Sequence, residues 1–385
     1  MFRTIVVSLV LPPLLLILCV APAPAAEGAD PATVAPPVNL APGPEYSDHV
    51  RMFQGIPGIE RSPGGRLWAT WYGGGVTEDH HNYVMLVTSG DGGRSWSPLK
   101  MVLDPDRDGP VRAFDPCLWL DPTGRLWLFW AQRARTPFLW AITTENPDDA
   151  SPTWSEPRMI SEGIMMNKPL VTSGGAWLLP VALWGKDDSC RVIASDDRGR
   201  TWKRIGAAGV PDAKHRNCDE PMLVERRDGS LWMLIRTRYG IGESFSTDGG
   251  KTWTPAVKSP IEHATARFFI RRLASGNLLL VKHGPLDKRT GRSHLTAYLS
   301  DDDGKTFGGG LLLDERSGVS YPDGFQATDG TIHIIYDYHR TSDKQILMAA
   351  FTEADVRAGK PTSEKVRLRV LINQATGTAP AKRRP

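Results

Sequence analysis

The stretch Ser246-Thr247-Asp248-Gly249-Gly250-Lys251-Thr252-Trp253 contains a short pattern, serine-x-aspartate-x-glycine-x-x-aromatic, that occurs four times in a chain of 385 residues. The copies begin at Ser89, Ser195, Ser246 and Ser300 and end at Trp96, Trp202, Trp253 and Phe307. Their starts lie 106, 51 and 54 residues apart, so the first interval holds about two periods. Near its midpoint, Thr144-Glu145-Asn146-Pro147 and the later Trp154 are interpreted as a fifth, degenerate copy with an insertion.

The residue types of this pattern suit a tight turn. An aspartate accepts hydrogen bonds from backbone amides in such a turn, and a glycine permits a positive φ. The aromatic residue then packs into an apolar core. The pattern is therefore expected to be structural, and its aspartates are not candidates for catalysis.

A second repeat runs in phase with the first. Six short apolar runs follow turn residues, and they start at Arg66, Arg125, Ala176, Ser230, Asn277 and Thr331. Consecutive starts lie 59, 51, 54, 47 and 54 residues apart, a period that four short strands and their turns would fill. The content of 13 Trp, 38 Gly and 31 Pro also favours short strands, and the best helical candidate is the segment 353–358. The sequence thus predicts an all-β chain of six repeated units.

Both ends of the chain differ in composition from its body. Residues 1–26 have the pattern of a signal peptide, with Arg3 before an apolar run that is too short to span a bilayer comfortably. Residues 27–44 are expected to be a flexible linker, 45–375 the folded domain, and 376–385 a disordered basic tail. The protein is therefore expected to be exported, to the periplasm or the extracellular space, without a membrane span.

The charge and the cysteines exclude several classes of function. The formal net charge is +3, but without Arg3 and residues 382–384 the chain has 42 basic and 43 acidic residues, so no nucleic-acid partner is expected. Three cysteines remain after cleavage, Cys117, Cys190 and Cys218, and their disulfide status is left open. No CxxC pair is present, which argues against a structural zinc site. No metal and no other cofactor is expected.

The repeated pattern resembles the Asp-box, or BNR repeat, of the sialidase (neuraminidase) superfamily. The copies and the six apolar units together cover nearly all of residues 45–358. This resemblance implies a six-bladed β-propeller of four-stranded antiparallel blades. It also implies a glycoside hydrolase, expected to be monomeric, that removes a terminal acidic sugar from a glycan. A strand from 48–60 or from 363–373 could close the ring, and the sequence leaves that choice open.

The resemblance also implies a nucleophile and its base. Sialidases are exceptions to the two-carboxylate rule of glycosidases. A tyrosine activated by a glutamate avoids the repulsion between a carboxylate nucleophile and the substrate carboxylate. The segment 218–225 resembles the family segment in which a glutamate precedes a proline, so Glu220 is the expected base. Tyr321, within 319–323, resembles the family nucleophile.

Arginines bind the substrate carboxylate in this family, because a guanidinium can bond a carboxylate at two points. Arg236 closes the apolar strand after Glu220, and Arg292 precedes the strand that leads into the fourth Asp-box. The resemblance implies that both bind the carboxylate. Further candidate substrate contacts lie at the heads of expected inner strands, and these are Arg112, Lys168 and Arg267.

The general acid/base is expected in the glycine-rich loop 71–81. The family places this aspartate in the corresponding loop, so Asp79 is the first candidate and Glu78 a close competitor. His80 and His81 could tune either carboxylate or replace it. The sequence leaves this assignment open.

One departure from the family pattern concerns the substrate. The family begins its first blade with Arg-Ile-Pro, whereas this chain has Gly55-Ile56-Pro57. Without that arginine the substrate carboxylate would lose one contact, and a hydrogen bond to a buried charge contributes roughly 1.5–3 kcal/mol. A different ulosonic acid or a uronic acid therefore remains an alternative substrate. Two other functions remain open: a related propeller exo-glycosidase or polysaccharide lyase that uses a histidine with Tyr321, and a glycan-binding propeller without catalysis.

Overall fold

The computed structural model describes residues 28–186 and 188–378, and within these ranges the chain forms 25 β-strands and one α-helix. The expected signal peptide and most of the expected tail lie outside the described residues. The strands are β1 (Val38–Asn39), β2 (Phe53–Arg61), β3 (Leu67–Gly74), β4 (Tyr83–Ser89), β5 (Met101–Leu103), β6 (Arg112–Leu120), β7 (Leu126–Arg133), β8 (Pro137–Thr144), β9 (Arg158–Glu162), β10 (Leu170–Val171), β11 (Trp177–Ala182), β12 (Cys190–Ser195), β13 (Lys203–Ala208), β14 (Pro221–Glu225), β15 (Leu231–Thr237), β16 (Gly240–Ser246), β17 (Val257–Lys258), β18 (Phe269–Arg272), β19 (Leu278–His283), β20 (Leu295–Ser300), β21 (Gly308–Asp314), β22 (Val319–Gln326), β23 (Ile332–Tyr338), β24 (Gln345–Phe351) and β25 (Arg367–Gln374). The helix α1 spans Glu353–Ala358, as predicted from the sequence.

The strands form six antiparallel sheets, each built from four consecutive strands. The sheets are β2–β5, β6–β9, β10–β13, β14–β17, β18–β21 and β22–β25. The first strands of neighbouring sheets contact one another, as β2 does with β6 and with β22. Each sheet is therefore a blade whose first strand lies nearest the axis. This arrangement confirms the predicted six-bladed propeller.

Within the part of the chain that the structure describes, the ring closes without an exchanged strand. β2 is the inner strand of the first blade, and β25 is the outer strand of the sixth. Neither terminal segment crosses to the other blade, so the structure differs from the expected closure. Contacts between the two blades join the ends instead, and the Gln54 amide donates to the Arg340 carbonyl at 3.1 Å.

The four Asp-boxes occupy equivalent turns between the third and fourth strands of their blades. In the first copy, Ser89 Oγ accepts from the Gly93 amide at 2.9 Å, and Asp91 Oδ1 accepts from the Ser95 amide at 3.0 Å. Gly304 of the fourth copy has φ 87°, and a Cβ there would lie 2.5 Å from the Trp232 ring of the preceding blade. The pattern thus has the structural role expected from its residues.

The segment 28–44, expected to be a linker, is packed against the propeller. Ala32 is fully buried, and its carbonyl accepts from Trp140 Nε1 at 3.1 Å. β1 adds a fifth strand to the first blade by pairing Val38 with Leu103. Among the residues that the structure describes, no helix is long and apolar enough to cross a membrane, and Cys117, Cys190 and Cys218 are free thiols.

Candidate active site

Three inner strands carry the same irregularity at equivalent positions. Ile56, Asp115 and Tyr321 have positive φ values of 55°, 49° and 52°, and each precedes a proline. Each also lies within a register shift of its strand pair. A non-glycine residue with positive φ is strained, and such strain concentrates at functional sites. Asp115 and Tyr321 therefore mark the same end of the axis on the second and sixth blades.

Tyr321 is hydrogen-bonded to residues of the fourth blade. Its hydroxyl donates to Glu220 Oε1 at 2.9 Å, and Arg236 Nη1 lies 2.6 Å from both oxygen atoms. Glu220 is 1% exposed, and its Oε2 has no partner among the described residues. The structure thus brings together the three residues that the sequence proposed as nucleophile, base and first arginine.

The surroundings of Tyr321 keep its hydroxyl protonated at rest. Burial raises the pKa of Tyr321 well above its ordinary value, and the Glu220 carboxylate raises it further, while Arg236, Arg340 and Arg292 oppose this rise. A phenol in this state is a poor nucleophile without a base. The bond to Glu220 supplies an acceptor for the proton.

Three guanidinium groups surround the Tyr321 ring. The Cζ atoms of Arg292, Arg236 and Arg340 lie 5.5, 5.9 and 4.3 Å from the ring centroid. The Arg292 side chain has no hydrogen bond or ion pair with any residue that the structure describes. Arg236 and Arg340 are paired with carboxylates, so Arg292 is the guanidinium of this group that is open to a bound anion.

Arg340 was not predicted from the sequence. It follows β23, its Nε donates to Asp337 Oδ2 at 3.0 Å, and its Nη1 donates to Glu78 Oε1 at 3.0 Å. A signal was available, because an arginine shortly after an apolar strand also led to Arg236. The contact with the first blade was not visible in the sequence.

Arg340 occupies the space beside Gly55. A Cβ atom added to Gly55 would lie 2.8 Å from both Cγ and Cδ of Arg340. The family resemblance predicts an arginine at position 55. In this chain, Arg340 of the sixth blade lies against that position instead.

The two acidic candidates of the glycine-rich loop have different contacts. The Asp79 carboxylate accepts from the backbone amides of Val76, Thr77 and His81 at 3.0–3.3 Å. The Glu78 side chain, 46% exposed, is ion-paired with Arg340. In this conformation Asp79 therefore holds the loop together, while Glu78 faces the arginines around Tyr321.

The adjacent histidines of the same loop are both exposed. The rings of His80 and His81 are 3.8 Å apart, and His81 Nδ1 lies 3.8 Å from Asp108 Oδ1. His81 borders a surface depression together with Tyr46 and Tyr83. Neither ring contacts Tyr321.

Asp115 is a further buried carboxyl at the site. Burial raises the pKa of Asp115 to about 8, and Glu78 and Glu220 add to the rise. Arg112, another candidate, packs its guanidinium 4.0 Å from the Phe114 ring and opposes this rise. The site therefore holds a buried carboxyl whose surroundings favour its protonated form.

Lys168 and Arg267 lie in a buried ion network along the axis. Lys168 Nζ is 3.2 Å from both Glu60 Oε2 and Asp323 Oδ2, and Arg267 Nη2 is 3.3 Å from Asp323 Oδ1. Arg267 Nε also donates to Asn167 Oδ1 at 2.6 Å. Every blade contributes a group to this network. In blade order, these groups are Glu60, the Leu118 carbonyl, Asn167 with Lys168, the Pro221 carbonyl, Arg267 and Asp323. Arg267 is fully buried, and both cations lie among carboxylates along the axis rather than in the cluster around Tyr321.

The fold and this cluster together define a β-propeller of the sialidase type. The chain belongs to the BNR-repeat family, because the family described as "BNR repeat-like domain" matches residues 65–334, well over half of its length. The sialidase resemblance drawn from the Asp-boxes is thereby confirmed at the level of the superfamily.

Two curated relatives are sialidases. The chain is 25% identical over 371 residues to the sialidase of Micromonospora viridifaciens, and the alignment covers 80% of this chain and 55% of that protein. It is 26% identical over 333 residues to the sialidase of Bacteroides fragilis, covering 73% of this chain and 59% of that protein. The chain thus spans somewhat more than half the length of each relative.

Solved structures share the fold at lower identity. The Hadza microbial sialidase Hz136 matches with a TM-score of 0.64 and 22% identity, covering 80% of this chain and 67% of that one. A leech intramolecular trans-sialidase matches with a TM-score of 0.64 and 15% identity, covering 84% and 71%. These likenesses establish the propeller architecture.

Proposed function

We propose that this protein is a retaining exo-glycosidase that removes a terminal acidic sugar, of the sialic acid class, from glycans. The observation that carries the proposal is the 2.9 Å hydrogen bond from the Tyr321 hydroxyl to Glu220 Oε1, with Arg236 bonded to both. A neutral nucleophile paired with a base, under a cluster of arginines, suits a substrate with a carboxylate on its anomeric carbon. The relationship to curated sialidases supports the same conclusion.

In the first step, Tyr321 Oη attacks the anomeric carbon while its proton passes to Glu220 Oε1. The bond from the anomeric carbon to the leaving oxygen breaks, and a general acid protonates that oxygen. The product is a tyrosyl-linked sugar with the reacting carbon inverted. Water then attacks the same carbon with the acid residue now acting as base, and Glu220 returns its proton to Tyr321, which gives net retention.

We assign the substrate carboxylate to Arg236 and Arg292. The Arg292 guanidinium has no ionic or hydrogen-bond partner among the described residues, and it lies 5.5 Å from the Tyr321 ring centroid. Arg236 is already bonded to Glu220, so a substrate carboxylate bound to Arg236 would be linked to the base Glu220 through one guanidinium. Charge-assisted bonds of this kind orient a planar carboxylate well.

We assign the acid/base role to Asp79, with Glu78 as its competitor. A general acid must deliver a proton to the leaving oxygen, whereas the Glu78 carboxylate is held in an ion pair with Arg340. Asp79 forms no ion pair with a described residue, but its carboxylate is turned onto its own loop. The loop must therefore rearrange before Asp79 reaches the leaving oxygen, and Gly74, with φ 133°, is a candidate hinge.

Export to the periplasm or extracellular space is part of this proposal, since glycans with terminal acidic sugars are found outside the cytoplasm. It rests on the pattern of residues 1–26.

The test is a release assay with fluorogenic sialosides and uronosides. We expect sialoside cleavage, lost by roughly a thousandfold or more in Tyr321→Phe. Tyr46→Phe is the matched control, because the Tyr46 hydroxyl also donates to a carboxylate, Asp104, at 3.0 Å, but outside the site. Cleavage of uronosides alone would move the activity to another acidic sugar, and binding of sialic acid without any release would favour the glycan-binding alternative.

A further inference from the structure

Arg340 is the guanidinium closest to the Tyr321 ring, and one of its donors is unused. Its Cζ lies 4.3 Å from the ring centroid, compared with 5.5 Å for Arg292 and 5.9 Å for Arg236. Its Nη2 atom is buried and has no hydrogen-bond partner among the residues that the structure describes. A buried donor without an acceptor costs free energy. Because this donor lies beside the nucleophile, we expect it to bind an oxygen atom of the ligand.

Two residues hold the rest of this side chain in place. Nε donates to Asp337 Oδ2 at 3.0 Å, and the same oxygen accepts from the Ile56 amide at 2.8 Å. The Arg340 carbonyl accepts from the Gln54 amide at 3.1 Å. Arg340 is therefore fixed against the inner strand of the first blade, although it belongs to the sixth.

The contact with Glu78 indicates that a carboxylate fits this guanidinium. Nη1 donates to Glu78 Oε1 at 3.0 Å, and the Glu78 side chain is 46% exposed. One terminal nitrogen, Nη1, thus already binds a solvent-exposed carboxylate. The other, Nη2, has no hydrogen-bond acceptor among the described residues.

Gly55 admits Arg340 because it has no side chain. The Gly55 backbone does not adopt a positive φ, so its conformation alone does not require glycine. A Cβ there would lie 2.8 Å from Cγ and Cδ of Arg340, closer than real Cβ contacts occur. Gly55 and Arg340 are therefore a matched pair.

We propose that Arg340 is a third carboxylate-binding residue and determines the preference of the site for an acid over a neutral sugar, with Gly55 as the residue that makes room for it. The inference rests on the proposed function in so far as the ligand is an acidic sugar. It completes a three-arginine site from the fourth, fifth and sixth blades, without a cation from the first.

The test compares sialic acid with its methyl ester, by calorimetric binding to the full chain. We expect wild type to prefer the acid, and Arg340→Ala to lose roughly tenfold to a hundredfold in affinity for the acid, the range for one charge-assisted hydrogen bond, with little change for the ester. Arg94→Ala, which removes an exposed arginine of the first Asp-box turn, should leave both affinities unchanged. An Arg340→Ala protein that keeps the acid preference, or a wild type without one, overturns the proposal.

Sialoside hydrolysis by the same wild-type sample separates this inference from the proposed function. A chain that prefers the acid but releases no sugar contradicts the hydrolase and leaves Arg340 as a binding residue. A chain that hydrolyses, and whose Arg340→Ala variant keeps its acid preference, contradicts only the role of Arg340.

A second measurement tests the matched pair. Gly55→Ala in wild type should lower both Tm and the affinity for sialic acid, because the added methyl displaces Arg340. In the Arg340→Ala background the same substitution should add no further loss. Equal losses in both backgrounds would show that Gly55 and Arg340 are not coupled.

Discussion

The hydroxyl of Tyr321 donates a hydrogen bond to Glu220 Oε1 at 2.9 Å, although 101 positions separate the two residues in the chain. Tyr321 lies on the inner strand of the sixth blade, and Glu220 directly precedes the inner strand of the fourth. The pair exists only because the ring brings the heads of these strands together.

The first prediction concerns proton transfer to Glu220. Glu220→Gln keeps the size of the side chain and an oxygen acceptor, but it cannot take the tyrosine proton. We expect kcat for a fluorogenic sialoside to fall by roughly 10²- to 10⁴-fold, with a much smaller change in KM. Glu225→Gln is the control, since Glu225 ends the strand that Glu220 precedes and accepts a hydrogen bond from Ser173 instead. A Glu220→Gln enzyme with nearly normal kcat would exclude this base.

The second prediction separates the two loop carboxylates. The variant that lacks the general acid should lose much more activity on a natural glycan, whose leaving alcohol needs a proton, than on an activated aryl sialoside. We expect this dependence on the leaving group for Asp79→Asn. Glu78→Gln should change both activities by a similar factor, because Glu78 acts through Arg340. The opposite pattern would transfer the acid/base role to Glu78.

The third prediction concerns the pH dependence of stability. The folded-state pKa of Asp115 is about 8, whereas an unfolded aspartate has a pKa of about 3.9. The folded chain thus binds more protons than the unfolded chain between these values, and this carboxyl destabilises the fold as pH rises from about 4 to about 8. Asp115→Asn should therefore have a higher Tm than wild type at pH 9, by at least about 2 °C, and the difference should vanish towards pH 4.

Asp108→Asn is the matched control for Asp115, because the Asp108 side chain is 99% exposed. It should show no comparable trend with pH. A Tm difference between Asp115→Asn and wild type that stays constant from pH 4 to pH 9 would mean that Asp115 titrates normally.

The fourth prediction concerns the axial ion network. Lys168→Met removes the cation shared by Glu60 and Asp323 and leaves two buried carboxylates without it. Breaking a buried ion pair costs roughly 3–5 kcal/mol, so the unfolding free energy should fall by about that amount. Lys203→Met, which removes an exposed pair with Asp196, should cost less than about 1 kcal/mol. Similar losses in both variants would show that the network contributes little.

The sequence predicted those parts of the molecule that depend on local patterns. The Asp-box turns and the apolar runs repeat with one period, so the number of blades and the helix at 353–358 followed from spacing. Tyr321, Glu220 and Arg236 were found because short motifs surround each of them, and the structure brings them within hydrogen-bonding distance.

The remaining site residues depend on contacts between blades, which no local pattern records. Arg340 reaches the site by packing on Gly55, 285 positions earlier in the chain. Lys168 and Arg267 do stand at the heads of their strands, but carboxylates from the first and sixth blades pair with them. A charged residue at the start of an inner strand can bind substrate in the pocket or form ion pairs along the axis. Only the residues it contacts in the fold distinguish these two roles.

The axial network has a consequence for how the protein is made. Asp323, which accepts both Lys168 and Arg267, is supplied by the last blade to be synthesised, two residues after Tyr321. A nascent chain that has reached only its fifth blade would hold Arg267 without its carboxylate partner, Lys168 with Glu60 alone, and no Tyr321. Completion of the chain therefore balances the charges along the axis and brings Tyr321 to Glu220 in the same step, so an unfinished molecule has neither a closed ring nor the tyrosine–glutamate pair.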